Sequence, residues 1–138
     1  MTQTLFPSLL VRDMEQTVAW YQRNLGATVK MSVPSSTDPS CSRFVTLTLA
    51  GNDLMLEMET PESVETKYPQ LGRPVEVGST MAINIQVEDA EVTFEALADR
   101  DSIVAEPSDM FYGMREFTLK DPNGYLMTVA SPLPQSPV

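Results

Sequence analysis

The sequence predicts an α+β fold of two tandem βαβββ modules whose mixed sheets enclose a cleft, in a chain of 138 residues. Three observations predict it. First, one order of elements, strand, helix and three further strands, is read twice along the chain. Second, identities recur between the halves. Val11, Asp13, Glu15 and Thr17 return as Val87, Asp89, Glu91 and Thr93 at an offset of 76, and Thr46, Leu47, Leu54 and Met55 as Thr118, Leu119, Leu126 and Met127 at 72. Such spacing points to an internal duplication. Third, one such module alone would leave an apolar sheet face in water. Two sheets set together, within one chain or between chains, bury those faces around a cleft.

Each element has its own signal. Leu5 to Val11 reads as a strand, with Pro7 near its start where an edge tolerates it. Asp13 then stands as a helix N-cap, and Gln16 three residues on completes a capping box. Met14, Val18, Tyr21 and Leu25 recur at helical spacing, with Ala19 and Trp20 widening the stripe, and Gly26 stops the helix. Thr28 to Val33 is a second strand, and the Ser- and Pro-rich stretch Ser35 to Ser42 a loop. Phe44 to Leu49 and Leu54 to Met58 form a hairpin across Ala50 to Asp53. Module one thus covers about 5–59, and an aperiodic linker about 60–78, with a short helix expected over Glu62 to Tyr68. Module two covers about 79–132. It holds a strand over Met81 to Val87, a helix capped by Asp89 and carrying Val92, Phe94, Ala96 and Leu97, and a strand over Ile103 to Glu106. A loop over Pro107 to Gly113 follows, then a hairpin of Met114 to Lys120 and Tyr125 to Ala130 turning on Asp121-Pro122-Asn123-Gly124. The tail from Pro132 to Val138 reads as irregular.

Composition narrows the functional classes. Nineteen acidic side chains against nine basic ones give a net charge of −10, which disfavours nucleic acid and anionic membranes and favours cationic ligands. The chain has no histidine and one cysteine, Cys41. An intrachain disulfide, a cysteine–histidine pair, the common triads and a zinc site of the usual kind are therefore excluded. No signal peptide is recognised, because Arg12 and Asp13 end the short apolar stretch at once, and no run is long enough for a membrane span. A cytoplasmic protein is expected.

Several residues stand out as candidates. Phe44, Leu56 and Met58 lie on the first hairpin. Met110, Phe111 and Tyr112 place three large side chains in one loop that can border a cleft, and Arg115 and Glu116 follow it. Glu57 and Glu59 share a strand parity, and Glu57 or Glu116 is the available carboxylate for acid–base work. Trp20 reads as packing its helix on the sheet.

Leu9-Leu10-Val11-Arg12-Asp13-Met14-Glu15, then Trp20-Tyr21 and Leu25-Gly26, resembles the opening module of the vicinal oxygen chelate superfamily. Gly113 to Gly124 resembles its final hairpin. The superfamily includes glyoxalase I, extradiol dioxygenases, fosfomycin resistance enzymes and bleomycin resistance proteins, and the likeness runs from about Leu5 to Pro132. Carried over residue by residue, the family's metal positions fall at Phe6, at Met81 or Ala82, at Leu56 and at Thr128, none a usual ligand. Glu57 is the one carboxylate nearby, a residue out of register. The resemblance then implies the metal-free, bleomycin-resistance-like branch, whose homodimers sequester a drug in acidic crevices where subunits meet. The expected function is metal-independent binding or sequestration of a small cationic or aromatic molecule, with no cofactor, no metal, and Phe44, Leu56, Met58, Met110, Phe111, Tyr112 and Arg115 as contacts. The alternative is a glyoxalase- or dioxygenase-like lyase, isomerase or oxygenase. It would use an atypical metal site or cofactor-free chemistry through Glu57 or Glu116.

Overall fold

The computed structural model describes residues 5–35, 40–59 and 81–134. Module one runs β1 (Ser8–Val11), α1 (Met14–Leu25), β2 (Thr28–Pro34), β3 (Ser42–Leu49) and β4 (Asn52–Met58). Module two repeats the order as β5 (Ala82–Gln86), α2 (Ala90–Glu95), a 3-10 turn at Arg100–Ser102, β6 (Ile103–Asp109), β7 (Met114–Lys120) and β8 (Leu126–Pro132). Each module builds a four-stranded mixed sheet, ordered β1-β4-β3-β2 and β5-β8-β7-β6. In both, the first strand lies parallel to the last and the remaining pairs are antiparallel. The duplicated α+β architecture expected from the sequence is present.

Both helices start as the capping signals require. Asp13 accepts from the Gln16 backbone N–H at 3.0 Å, and Asp89 from Glu91 and Val92 at 2.9 and 3.2 Å. Gly26 closes α1 at φ 66°, a left-handed position that costs glycine no Cβ clash. The β3–β4 turn falls on Ala50 and Gly51, both at positive φ (51° and 78°), as a two-residue hairpin that follows strand twist demands.

Several boundaries differ from the sequence reading, among them that of α2, which ends at Glu95 and leaves Ala96 and Leu97 beyond the helix. Pro107 to Asp109, expected as loop, belong to β6. That strand is an edge, where proline is tolerated, and a register break between Ala105 and Ser108 accommodates Pro107. β8 extends to Pro132, which pairs with Met114. β1 is shorter than expected, beginning at Ser8. The helix expected over 62–68 lies outside the described residues.

The core is one cluster that spans both modules. α1 makes this possible. Its buried residues Met14, Thr17, Trp20, Tyr21 and Asn24 recur every three or four positions, so one side packs on its own sheet and the flank reaches module two. Trp20 is a core residue: its indole meets the Tyr21 ring edge-on at 4.9 Å, and its Nε1 donates to Ser102 Oγ at 2.7 Å. Asn24 clasps the loop after α2, accepting from Ala98 N (3.1 Å) and Asp99 N (3.0 Å) while donating to Asp99 Oδ2 (2.9 Å). Arg23 binds the same carboxylate at 2.8 Å. With Asn24 first and Arg23 second, these partners hold the Asp99 carboxyl below the usual range.

The β7–β8 turn is fastened to α1 by a buried polar group. Asp121 accepts from the backbone N–H groups of Asn123 (2.8 Å) and Tyr125 (2.9 Å) and from the Tyr21 hydroxyl (2.7 Å). Burial pushes its carboxyl above the ordinary value, while the Tyr21 hydroxyl and the backbone donors pull the other way. Tyr21 is itself shifted strongly upward by burial and then by Asp121. Asn123 reaches back to Thr17 Oγ1 at 3.0 Å and to the Arg12 N–H at 3.0 Å. Tyr125 Oη accepts from Leu10 N (3.2 Å) and donates to Leu10 O (3.0 Å), satisfying the outer edge of β1.

Because the folded Asp121 carboxyl titrates above its unfolded value, folding is opposed by its charge at neutral pH and eased as pH falls towards the unfolded pKa of about 3.9. Tyr21→Phe keeps the ring and removes one donor from that charge. Unfolding in urea at neutral pH should show a loss of roughly 1–3 kcal/mol, shrinking on acidification as the carboxyl is protonated. Carboxyl carbon NMR should place Asp121 higher still in the variant. A loss that persists unchanged at acid pH would refute this account.

Candidate functional site

Strand register decides which side chains share a face. Leu9 pairs with Leu56 and Leu56 with Val45, all buried against α1. Leu10 pairs with Glu57 and Glu57 with Phe44, and these lie on the opposite face with Thr46 and Met55, where Leu10, Thr46 and Glu57 are buried. Leu10 accordingly stands outside the joint core cluster. In module two, Ile85, Met127, Val129, Phe117 and Leu119 face the helix. Asn84, Gln86, Thr118, Thr128, Ala130 and Glu116 occupy the open face.

This register corrects the alignment of the halves. Between the paired residues Lys120 and Leu126 stand five residues, 121–125; between the equivalent pair Thr48 and Asp53 stand four, 49–52. Beyond the turn the offset is therefore 73, and Leu54–Met55 and Leu126–Met127 are identical in sequence without being structural equivalents. The position matching Thr128 is Met55, not Leu56. Leu56 is fully buried on the α1 side and presents nothing to a ligand on the open face. Glu57, expected to point away from it, is the residue that faces that side, at 1% exposure. Met58 shares the helix-side parity of Leu56 and packs against the core.

The family's metal positions thus become Phe6, Ala82, Met55 and Thr128, which offer no carboxylate, imidazole or thiolate. Among the described residues no group of three His, Cys, Asp or Glu side chains is gathered to hold a metal ion. The donor set does not fit the superfamily's metal centre.

The loop candidates separate. Met110 closes the β6–β7 turn through its backbone, donating to Met114 O (2.7 Å) and accepting from Gly113 N (3.0 Å). Phe111 is fully exposed and stacks edge-on with half-exposed Tyr112 at 5.1 Å. The Tyr112 hydroxyl donates to Glu116 Oε2, and that bond, more than charge, raises the Tyr112 pKa. Arg115, expected as a ligand contact beside Glu116, is on the other face. It pairs with Asp109 at 2.7 Å, and this partner holds Asp109 low and Arg115 high. Glu59 pairs with Arg12 at 3.3 Å at the end of β4.

The residues that sequence reading missed are the polar ones of the open face: Asn84, Gln86, Thr118 and Thr128, the last two with hydroxyls 3.4 Å apart. The signal was available in inverse form. Where Met81, Ile83, Ile85 and Val87 alternate towards the core, the residues between them must line the other side.

A family model described as the glyoxalase/bleomycin resistance protein/dioxygenase superfamily matches residues 3–129. The chain belongs to that superfamily. Its fold is similar to TioX from Micromonospora sp. ML1, at 18% identity and TM-score 0.68, covering 98% of this chain and 100% of that one. It is also similar to a glyoxalase/bleomycin resistance protein/dioxygenase from Nocardioides, at 20% identity and TM-score 0.71, covering 99% and 87%. A protein of unknown function from Agrobacterium tumefaciens gives TM-score 0.74 at 16% identity, covering 96% of each. Likeness at such identities establishes fold alone. No curated protein matches the chain. Among the described residues no helix is long and apolar enough to cross a membrane.

Replacing Glu116 by Gln removes the charge that the Tyr112 hydroxyl faces. The Tyr112 phenol should then titrate lower, nearer the ordinary value of about 10, in ring-carbon NMR. An unchanged titration would show that the pair does not persist in solution.

Proposed function

We propose that this superfamily member binds a small molecule without a metal, as a sequestering protein rather than an enzyme, in the manner of the bleomycin-resistance-like branch. One observation carries the reading. The family's metal positions hold Phe6, Ala82, Met55 and Thr128, while the open sheet face of module two carries Asn84, Gln86, Thr118, Thr128 and Glu116. Such groups hold a ligand by hydrogen bonds, while the stacked Phe111–Tyr112 pair supplies an aromatic wall beside Glu116. A carboxylate next to an aromatic pair suits a flat cation, in keeping with the chain's net charge of −10.

The reading includes a homodimer. Within one chain the modules meet through a joint core on the helix side, with α1 between them. The open faces are not what joins them, so a second copy is the natural partner to place one module's open face against the other's. Exposed Met31 and Val33, which pair with Thr46 and Phe44 on that face in module one, add apolar surface for such a contact.

Native mass spectrometry of chain isolated from its own cells without chelators reports subunit number, metal and retained organic mass together. A metal-free dimer with an organic adduct is expected, the adduct weakened at least several-fold by Glu116→Gln. A stoichiometric metal ion, or a monomer that retains nothing, would overturn the proposal.

A further inference from the structure

The groove between α1 and β2 is on the opposite side of sheet one from the open face. It has a volume of about 600 Å³, within the roughly 300–1,000 Å³ range of small-molecule sites. Its floor is apolar: Met14, Val18 and Ala19 from α1, with Val29, Val45 and Met58 from the sheet. Its rim is polar, with Gln22 and the hydroxyls of Ser32 and Ser42 along one length and Arg12, Asp13 and Glu15 at one end.

The duplication supplies a comparison inside the molecule. The corresponding space between α2 and β6, about 570 Å³, is lined by Glu91, Pro107, Ser108, Asp109 and Arg115, and the Arg115–Asp109 ion pair lies across it. Glu91 corresponds to Glu15, and Arg115 to Arg43. In module one β2 carries no acidic residue to receive Arg43, whose guanidinium instead stands 5.3 Å from the Phe44 ring centroid. One scaffold therefore offers the same groove twice, and among the described residues the first keeps an apolar floor with no ion pair over it.

Charge selects the ligand class. Asp13 and Glu15 line the end of the groove with Arg12, whose charge Glu59 already meets in an ion pair. The N-terminus of α1 adds only about half a positive charge there. The end of the groove is net negative, so an anionic head is repelled and a cationic one attracted.

We infer that the α1–β2 groove is a second binding site, separate from the open-face site, for an amphipathic organic cation: an alkyl body on the Val18, Ala19, Val29 and Val45 floor and an ammonium beside Glu15.

The test is an amide-and-methyl NMR titration of the full chain with n-octylamine, and with octanoate as the same alkyl body of opposite charge. Saturable shifts are expected at Val18, Ala19, Val29 and Val45, with none at Ser108, Thr118 or Thr128. Octanoate should bind at least ten-fold more weakly, and Glu15→Gln should weaken octylamine several-fold. Ala19→Trp, which fills the groove from the helix, should abolish the shifts. Val29→Trp does the same from the exposed edge strand and serves if the helix variant does not fold. Absence of saturable shifts, equal binding of octanoate, or binding unaffected by either tryptophan would overturn the inference.

Discussion

The buried carboxylate of Asp121 is the constraint on which the rest of the structure depends. A charge taken out of water must be met by donors, and here they come from two sources: the turn's own backbone and the Tyr21 hydroxyl of the other module. The turn geometry and the docking of α1 are thereby made one problem. The same turn presents Asn123 to Thr17 and Arg12, and aims Tyr125 at the edge of β1. Hydrophobic burial supplies most of the drive for the modules to associate, but it is indifferent to register. The donors around Asp121, with the Asn24 clasp at the other end of α1, set the angle at which the two cores merge.

That merger fixes where ligands are to be sought. With the helix-covered sides joined, each sheet keeps a second face outside the joint core, free in module two to carry polar groups. In module two that freedom is used for amides, hydroxyls and a carboxylate. In module one that face carries Leu10, Phe44, Thr46 and Met55, with Glu57 buried among the paired strands.

The fold was legible because its signals are local and redundant. Caps, periodicity and the Asp-Pro-Asn-Gly turn each point to the same elements, and they repeat. The site was legible only in part. A one-residue difference in turn length, invisible to a comparison of identities, moved every residue of β4 by one place and so put Met55, on the same face as Glu57, where Leu56 was expected. Arg115 and Glu116, neighbours in sequence, were separated by the same period of two. The Tyr21–Asp121 and Asn24–Asp99 contacts span 100 and 75 residues, and no local pattern announces them. Proline at position 107 was read as a loop because a strand edge is a property of the sheet, not of the segment.

The hydroxyl of Tyr125 does something beyond joining the modules. An exposed strand edge is an invitation to any other strand, and β1 is the edge of its sheet. At Leu10 both outward backbone groups are already engaged by a single phenol, and at Arg12 the outward N–H is taken by Asn123. A side chain from the sister module thus substitutes for the strand that would otherwise be recruited from another molecule. At the opposite edge of the sheet Pro34 ends β2. Duplication here lets one module occupy an edge strand of the other that would otherwise stand open to edge-to-edge pairing.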